Sequence, residues 1–373
     1  MTSRNNRVAL LCTGTALLAT LLAQYLSSWP VFSPDLLLDV SADRPLSTFI
    51  KSVDPAFIVS TPGEKYDGVY YWAMAVDPFA TGTAHTLIDM PGYRYGHPLW
   101  GWLAGVLSLG QPRWLPEVFW LMTLAAMALA AWSVSRLAAR LGASPWAGLA
   151  VALSPGLLFS ASSALTEPLQ AALTCLALLL WSRGRKRDGL WLGATLVALC
   201  LTKEQLVLLP VALAVDWGIR RWRRLDTPDF GHLVAIAAGP TALVMWQAYL
   251  RTTMSPDQLA YQDGNIGLPF GQMGDLLRRA AALRVVDDTG AQIGSTTPSL
   301  MVAMAAVLLA GTITGLARRD ALGYLVLSLT TLTTCLGHRT LLLPHETLRI
   351  PSIPVLLALV SLLVGFPPRK AEH

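Results

Sequence analysis

Eleven apolar runs, most of them approaching 20 residues, divide this chain, and few architectures accept so many. They lie near 8–29, 97–110, 114–135, 145–161, 166–182, 188–202, 204–219, 231–250, 298–317, 320–337 and 350–366. A bilayer's hydrocarbon core is about 30 Å thick, and a helix needs roughly 20 apolar residues to cross it. The polar supply agrees: 14% of residues are charged, against about 25% in soluble domains. The 53% hydrophobic content and mean hydropathy of +0.49 say the same. A soluble chain of 373 residues would lack the polar residues to cover its surface. A soluble enzyme, a nucleic-acid reader and a disordered protein are thereby excluded. The expected fold class is all-α, a polytopic transmembrane bundle forming one integral membrane domain over residues 1–373. Cys12, Cys175, Cys200 and Cys335 all sit inside apolar runs, without a CxxC pair, and read as small core hydrophobes.

Basic residues orient the chain. Arg136 and Arg140, the stretch 183–187, the stretch 220–224, Arg318 and Arg319, and Arg369 and Lys370 follow alternate runs. With Arg4 and Arg7 they place sixteen of the 28 Lys and Arg on one face, accompanied by only six acids. This is the positive-inside bias, and it explains the pI near 9.1 without an anionic partner. The first run resembles a signal peptide's charged start, but no small-x-small site precedes Trp29, so a retained anchor is expected. Both termini are then cytoplasmic, which demands an even number of crossings. The run at 97–110, about 14 residues or about 21 Å as a helix, is the weakest and is assigned as re-entrant or interfacial. Ten spans remain.

Two sizeable loops, 30–96 and 251–297, face the extracytoplasmic side under this topology. In the second, Met273, Leu276, Leu277, Ala280 and Ala281 follow helical spacing with Arg278 and Arg279 off that face, an interfacial helix. In the first, Tyr66-Asp67-Gly68 precedes Val69-Tyr-Tyr-Trp72, expected to form an aromatic-belt helix. Thr166-Glu167-Pro168, Thr202-Lys203-Glu204, and His338 and Arg339 through His345, Glu346 and Arg349 join the same face.

Ionisable groups at the ends of apolar helices are costly and usually have a task, although snorkelling to headgroups is the plain alternative for Glu167, Lys203 and Glu204. Asp67 is the sharpest residue. It suits a carboxylate that takes a proton from a substrate hydroxyl, or simply a helix N-cap. Asp77, before Pro78, reads first as a turn residue, and Asp89 is intermediate. Arg94, Arg339 and Arg349 present planar forks that match phosphate oxygens, or anchor headgroups. His85, His97, His338 and His345 also face outward, but no HExxH-like spacing supports a metal site.

The layout of a first span, a large outer loop with Tyr-Asp-Gly, then Thr-Glu-Pro, Thr-Lys-Glu and a late Leu-Arg-Ile-Pro-Ser-Ile-Pro354 resembles the GT-C superfamily of glycosyltransferases, closest to its GPI-mannosyltransferase-like branch. The resemblance implies transfer of a mannose-like sugar from a polyprenyl-phosphate donor to a hydroxyl of a glycan, lipid or protein acceptor, at the outer face of the cell membrane. Membrane lipids are implied partners and nucleic acid is not. The family's first-loop acid maps onto Asp67, as general base, and its late arginine onto Arg349, helped by Arg339 or Lys203 at the departing phosphate. Glu167 and Glu204 would orient Lys203 or sugar hydroxyls, with Tyr66, Tyr70, Arg94 and His345 completing the substrate site. No cofactor is implied. The chain has no adjacent Asp-x-Asp pair, so metal dependence stays open. Two other classes compete: a transporter or lipid flippase, and an acyltransferase using His97 or His345.

Overall fold

A computed structural model describes residues 3–60, 67–225, 227–260, 266–281, 297–341 and 344–365. Each of the eleven apolar runs carries helix, and among the described residues there is no strand, only two isolated bridges. Four helices are long and apolar enough to cross a bilayer: Ser3–Ser27, Pro112–Arg140, Phe230–Thr253 and Pro298–Arg318. Their outward faces carry exposed Leu10, Leu18, Leu22, Val244, Met245 and Leu309. Water penalises so much contiguous apolar surface, whereas lipid accepts it. The chain is a helical membrane protein.

The Glu167–Arg183 helix runs through the middle of the bundle. Its Ala171, Ala172, Cys175 and Ala177 are fully buried, small residues that let the Leu115–Arg140 and Asp188–Thr202 helices approach closely. Shorter apolar helices, Ala321–Thr334 and Ser352–Val364, complete the bundle.

One run is broken. Pro145–Ala152 and Pro155–Ser162 meet at a bend of 52°. Pro155 has no N–H to donate and its ring clashes with the preceding turn, so the first segment stops at Leu153. Ser154 restarts the helix by accepting from the Leu157 N–H at 3.4 Å. The new direction carries Gly156 onto the Pro344–Arg349 helix, where a Cβ would stand 2.2 Å from the Leu348 carbonyl oxygen. Only glycine permits this seat, and Arg349 hangs from it.

The 30–96 loop packs into a second core, where Leu38, Ile50, Phe57, Trp72 and Tyr95 meet Trp100, Phe119 and Trp246 of the helices that follow. Trp72 is fully buried and meets Phe49 edge-on at 6.2 Å. The helix Gly68–Val76 is therefore no aromatic belt. The loop supplies enough apolar partners that Tyr71, Trp72 and Met74 turn into protein rather than toward headgroups. The run at 97–110 forms the helix Leu99–Leu107, nine residues or about 13 Å, too short to cross. It packs Trp100 and Ala104 inward and leaves Val106 and Leu107 exposed. The Trp246 Nε1–H donates to the Tyr95 carbonyl at 2.6 Å, tying the Phe230–Thr253 helix to this loop. In the second loop the helix Gly271–Ala281 buries Met273 and Leu276 and exposes Arg278, as its spacing predicts.

Candidate active site

Asp67 stands at the start of the helix Gly68–Val76, yet its side chain caps nothing. Its backbone is already helical, at φ −70 and ψ −11, so the carboxylate does not point back at the first amide groups. It reaches sideways instead. Oδ1 accepts from Arg94 NH1 at 2.9 Å, and Oδ2 from Arg349 NH1 at 3.4 Å. Gly68 makes this placement possible, because a Cβ there would lie 2.7 Å from the Ser163 carbonyl oxygen. The helix start is thus pressed against the end of the broken helix pair, beside the Arg349 segment.

Arg94, on the short helix Pro91–Tyr95, holds its guanidinium carbon over the Tyr70 ring, 4.1 Å from the centroid, and donates from Nε to Asp89 at 3.2 Å. Tyr70 follows Asp67 by one helical turn, so the same helix supplies both the acid and the platform for its arginine. Arg349 is gripped differently. Its Nε and NH2 donate to Glu346 Oε2 at 3.2 and 3.1 Å, while NH1 is shared between Asp67 and Glu167, the latter at 3.5 Å. Glu167 is 7% exposed, and among the described residues its Oε2 has no hydrogen-bond partner. A buried acceptor left in that condition is a candidate for a ligand's hydroxyl.

A second network borders the first. Lys203 Nζ donates to the Tyr93 hydroxyl at 2.9 Å and lies 3.7 Å from Glu204, whose other oxygen is 3.2 Å from His97 Nδ1. The His97 ring meets Tyr93 edge-on at 5.3 Å. The two networks face one cavity of ≈ 250 Å³, which Leu332 and Leu336 also line. Asp67, Glu167, Lys203, Glu204, Arg94 and Arg349 all line it, so sequence positions 67 to 349 converge on one space.

The charges set each other's protonation. Burial alone pushes the Asp67 carboxyl up, but Arg94 and Arg349 more than reverse this and hold it below the ordinary carboxylate range. Burial is likewise overcome at Glu204, where Lys203 and His97 hold the carboxyl down. Lys203 is kept charged by Glu204 and Tyr93 against its own burial. Burial, and then Lys203, push His97 down and favour its neutral form. Four carboxylates (Asp67, Glu167, Glu204 and Glu346) surround three fixed cations, so the cavity is not a bare cationic cup.

The remaining expectations divide. Tyr70 braces Arg94 from a separate cavity of ≈ 100 Å³ shared with Asp89. His345 does not line the main cavity; its ring packs on Phe159 at 5.2 Å, and its Nε2 is 4.0 Å from Glu346. Tyr66 and the side chain of Arg339 lie outside the described residues. Asp77 is a turn clamp, accepting from the N–H groups of Thr81, Gly82 and His85 and pairing with His85 Nδ1 at 2.8 Å. Among the described residues no group of three His, Cys, Asp or Glu side chains is placed to hold a metal ion. Sequence reasoning assigned no role to Tyr71, Tyr93, Gln170 or Glu346, all of which line the cavity. Gln170 carried a signal, since three residues after Glu167 puts it on the same helix face. No family model matches the chain, and no curated protein matches it.

Proposed function

We propose that the protein is an integral membrane glycosyltransferase of GT-C type that moves a sugar from a polyprenyl-phosphate donor to an acceptor hydroxyl on the extracytoplasmic face. The observation that carries this reading is the meeting of Asp67 with Arg349, 282 residues apart, in one cavity. Headgroup anchoring explains isolated arginines at a surface, but not a guanidinium that is 9% exposed and ringed by three carboxylates. In this reading the chain crosses the membrane ten times with both termini cytoplasmic. The support is four helices long and apolar enough to span, or five with the broken pair counted as one, together with the arginine clusters between the apolar runs.

The acceptor hydroxyl gives its proton to Asp67 as its oxygen bonds to C1 of the sugar. The bond from C1 to the phosphate oxygen breaks, and its electron pair leaves with the lipid phosphate. Arg349 and Lys203 stabilise the charge that develops there, the electrostatic contribution that usually dominates such steps. Glu167 and Gln170, both buried, hold sugar hydroxyls. The test is mass spectrometry of lipid-linked sugars and envelope glycans from a strain lacking the protein. A lipid-linked sugar should accumulate while one glycan linkage disappears, and unchanged profiles of both refute the reading.

One observation favours a transporter, the 52° break at Ser154-Pro155, because broken helices frame transport sites. The break, however, seats the Arg349 segment, and the charged cavity lies at the helix ends. Uptake of labelled lipid-linked sugar into proteoliposomes without any transfer would favour transport.

A further inference from the structure

Arg349 does not use its nitrogens equally. Nε and NH2 are held by Glu346 at 3.2 and 3.1 Å, normal lengths for a firm pair. NH1 has Asp67 at 3.4 Å and Glu167 at 3.5 Å, two residues that line the cavity with Arg349, and both contacts are near the useful limit. Charge-assisted bonds prefer about 2.7–2.9 Å. Asp67 is asymmetric in the same sense: Oδ1 is fixed by Arg94 at 2.9 Å, and only Oδ2 depends on Arg349. The contacts of Arg349 NH1 with Asp67 Oδ2 and with Glu167 are thus the slack joints around this arginine, and of the two only the one with Asp67 engages the proposed base.

We propose that this joint is a latch released by the donor: a phosphate ester entering the cavity takes Arg349 NH1 from Asp67, and Oδ2 becomes the atom that receives the acceptor's proton. The inference rests on the glycosyltransferase reading and adds a coupling between donor arrival and base release. Before the donor binds, the arginine is neutralised by carboxylates and Oδ2 is occupied, so water or an acceptor meets a poor base. Arrival of phosphate removes one guanidinium from Oδ2, while Arg94 keeps the carboxylate in place through Oδ1. Glu346 is a positioning residue in this scheme, because it fixes the guanidinium through Nε and NH2 and leaves NH1 to Asp67 and Glu167. The proton then passes from the acceptor oxygen to Oδ2 as that oxygen bonds to C1. The leaving phosphate keeps the electron pair of the broken C1–O bond, and its added charge faces Arg349.

A competing carboxylate makes a prediction of unusual sign. Full-length protein in lipid nanodiscs is titrated with farnesyl phosphate, and affinity is read by calorimetry. Asp67→Asn removes the competitor and should bind farnesyl phosphate about tenfold more tightly than wild type, while losing transfer activity; a tenfold change in affinity corresponds to about 1.4 kcal/mol. Asp275→Asn removes the same unit charge from a carboxylate that pairs with Arg278 and Arg279 and does not line the cavity, so it controls for net charge and should gain at most about twofold, or about 0.4 kcal/mol. Equal gains in the two variants, or an Asp67→Asn affinity unchanged or weaker, overturn the latch while leaving phosphate binding intact. Failure of wild type and both variants to bind farnesyl phosphate overturns the phosphate-donor reading and the latch with it. Asp67→Ser serves as a second variant if the Asn protein does not fold, with the same expected sign.

Discussion

Arg349→Lys separates a positioned fork from a point charge. The guanidinium makes contacts on two sides: Nε and NH2 to Glu346, and NH1 to Asp67 and Glu167. A lysine has one nitrogen at the end of a flexible stem and cannot satisfy both sides with the same geometry. One side is lost, at about 1.5–3 kcal/mol for a hydrogen bond to a charged group. If the loss falls on the cavity side, kcat/KM drops by about 10–100-fold, since each 1.4 kcal/mol is about a factor of ten. Stability should change less, because the positive charge stays among the carboxylates. Arg349→Ala behaves differently. It leaves buried Glu167 and half-buried Glu346 without their shared cation, a cost of up to about 3–5 kcal/mol in comparable buried sites, and should lower the unfolding temperature as well as abolish transfer. The assay is sugar transfer from a lipid-linked donor by purified protein in nanodiscs, beside thermal unfolding followed by tryptophan fluorescence. An Arg349→Lys protein with wild-type turnover, and an Arg349→Ala protein with wild-type unfolding, would refute the reasoning on both counts.

Other outcomes follow from the same geometry. Asp67→Asn should fold and insert normally but lose about 10²–10⁴ in turnover, the usual loss for a general base; near wild-type transfer would shift the role to Glu167 or Asp89. A cysteine at Asp275 should react with an impermeant thiol reagent from outside, and one at Gly184 only from inside; the reverse pattern inverts the topology. His97 sits below its ordinary value of 6.5 through burial and Lys203, so the unfolded chain takes up this proton before the folded one. Its contribution to stability is complete above pH 6.5 and drains as the pH falls below it, before the carboxylates titrate near pH ~4. His97→Gln should therefore show a flatter loss of stability between pH ~6.5 and ~5 than wild type, measured by unfolding at each pH. Identical slopes would mean that His97 is solvated and titrates normally.

Apolar run length found the helices because bilayer thickness fixes it, and even the weak run at 97–110 declared itself by being short. Charge position found much of the cavity, because an ionisable group at a helix end has few places to go. Asp67, Glu167, Lys203, Glu204, Arg94 and Arg349 were legible in this way. Two things were not. A tryptophan such as Trp72 looks the same in sequence whether lipid or protein covers it, and the second core could not be inferred from spacing. The partners of each charge were also hidden, since Glu346 beside Arg349 is a local pairing but Asp67 with Arg349 spans most of the chain. Tyr93 reads as one more loop aromatic until Lys203 is seen to donate to its hydroxyl.

The contact between Asp67 and Arg349 also governs when the site comes into being. At about 5–20 residues per second, synthesis of the 282 residues between them takes roughly 15–60 s. During that interval the 30–96 loop can pack against the helices already made, and Arg94 can already hold Asp67. Glu167, meanwhile, waits in the membrane without its arginine. The Asp67–Arg349 contact is therefore absent from the nascent protein until the Pro344–Arg349 helix takes its seat on Gly156. On the proposed glycosyltransferase reading, insertion of that late segment is a completion check, and a ribosome-stalled chain should be inert toward lipid-linked sugar.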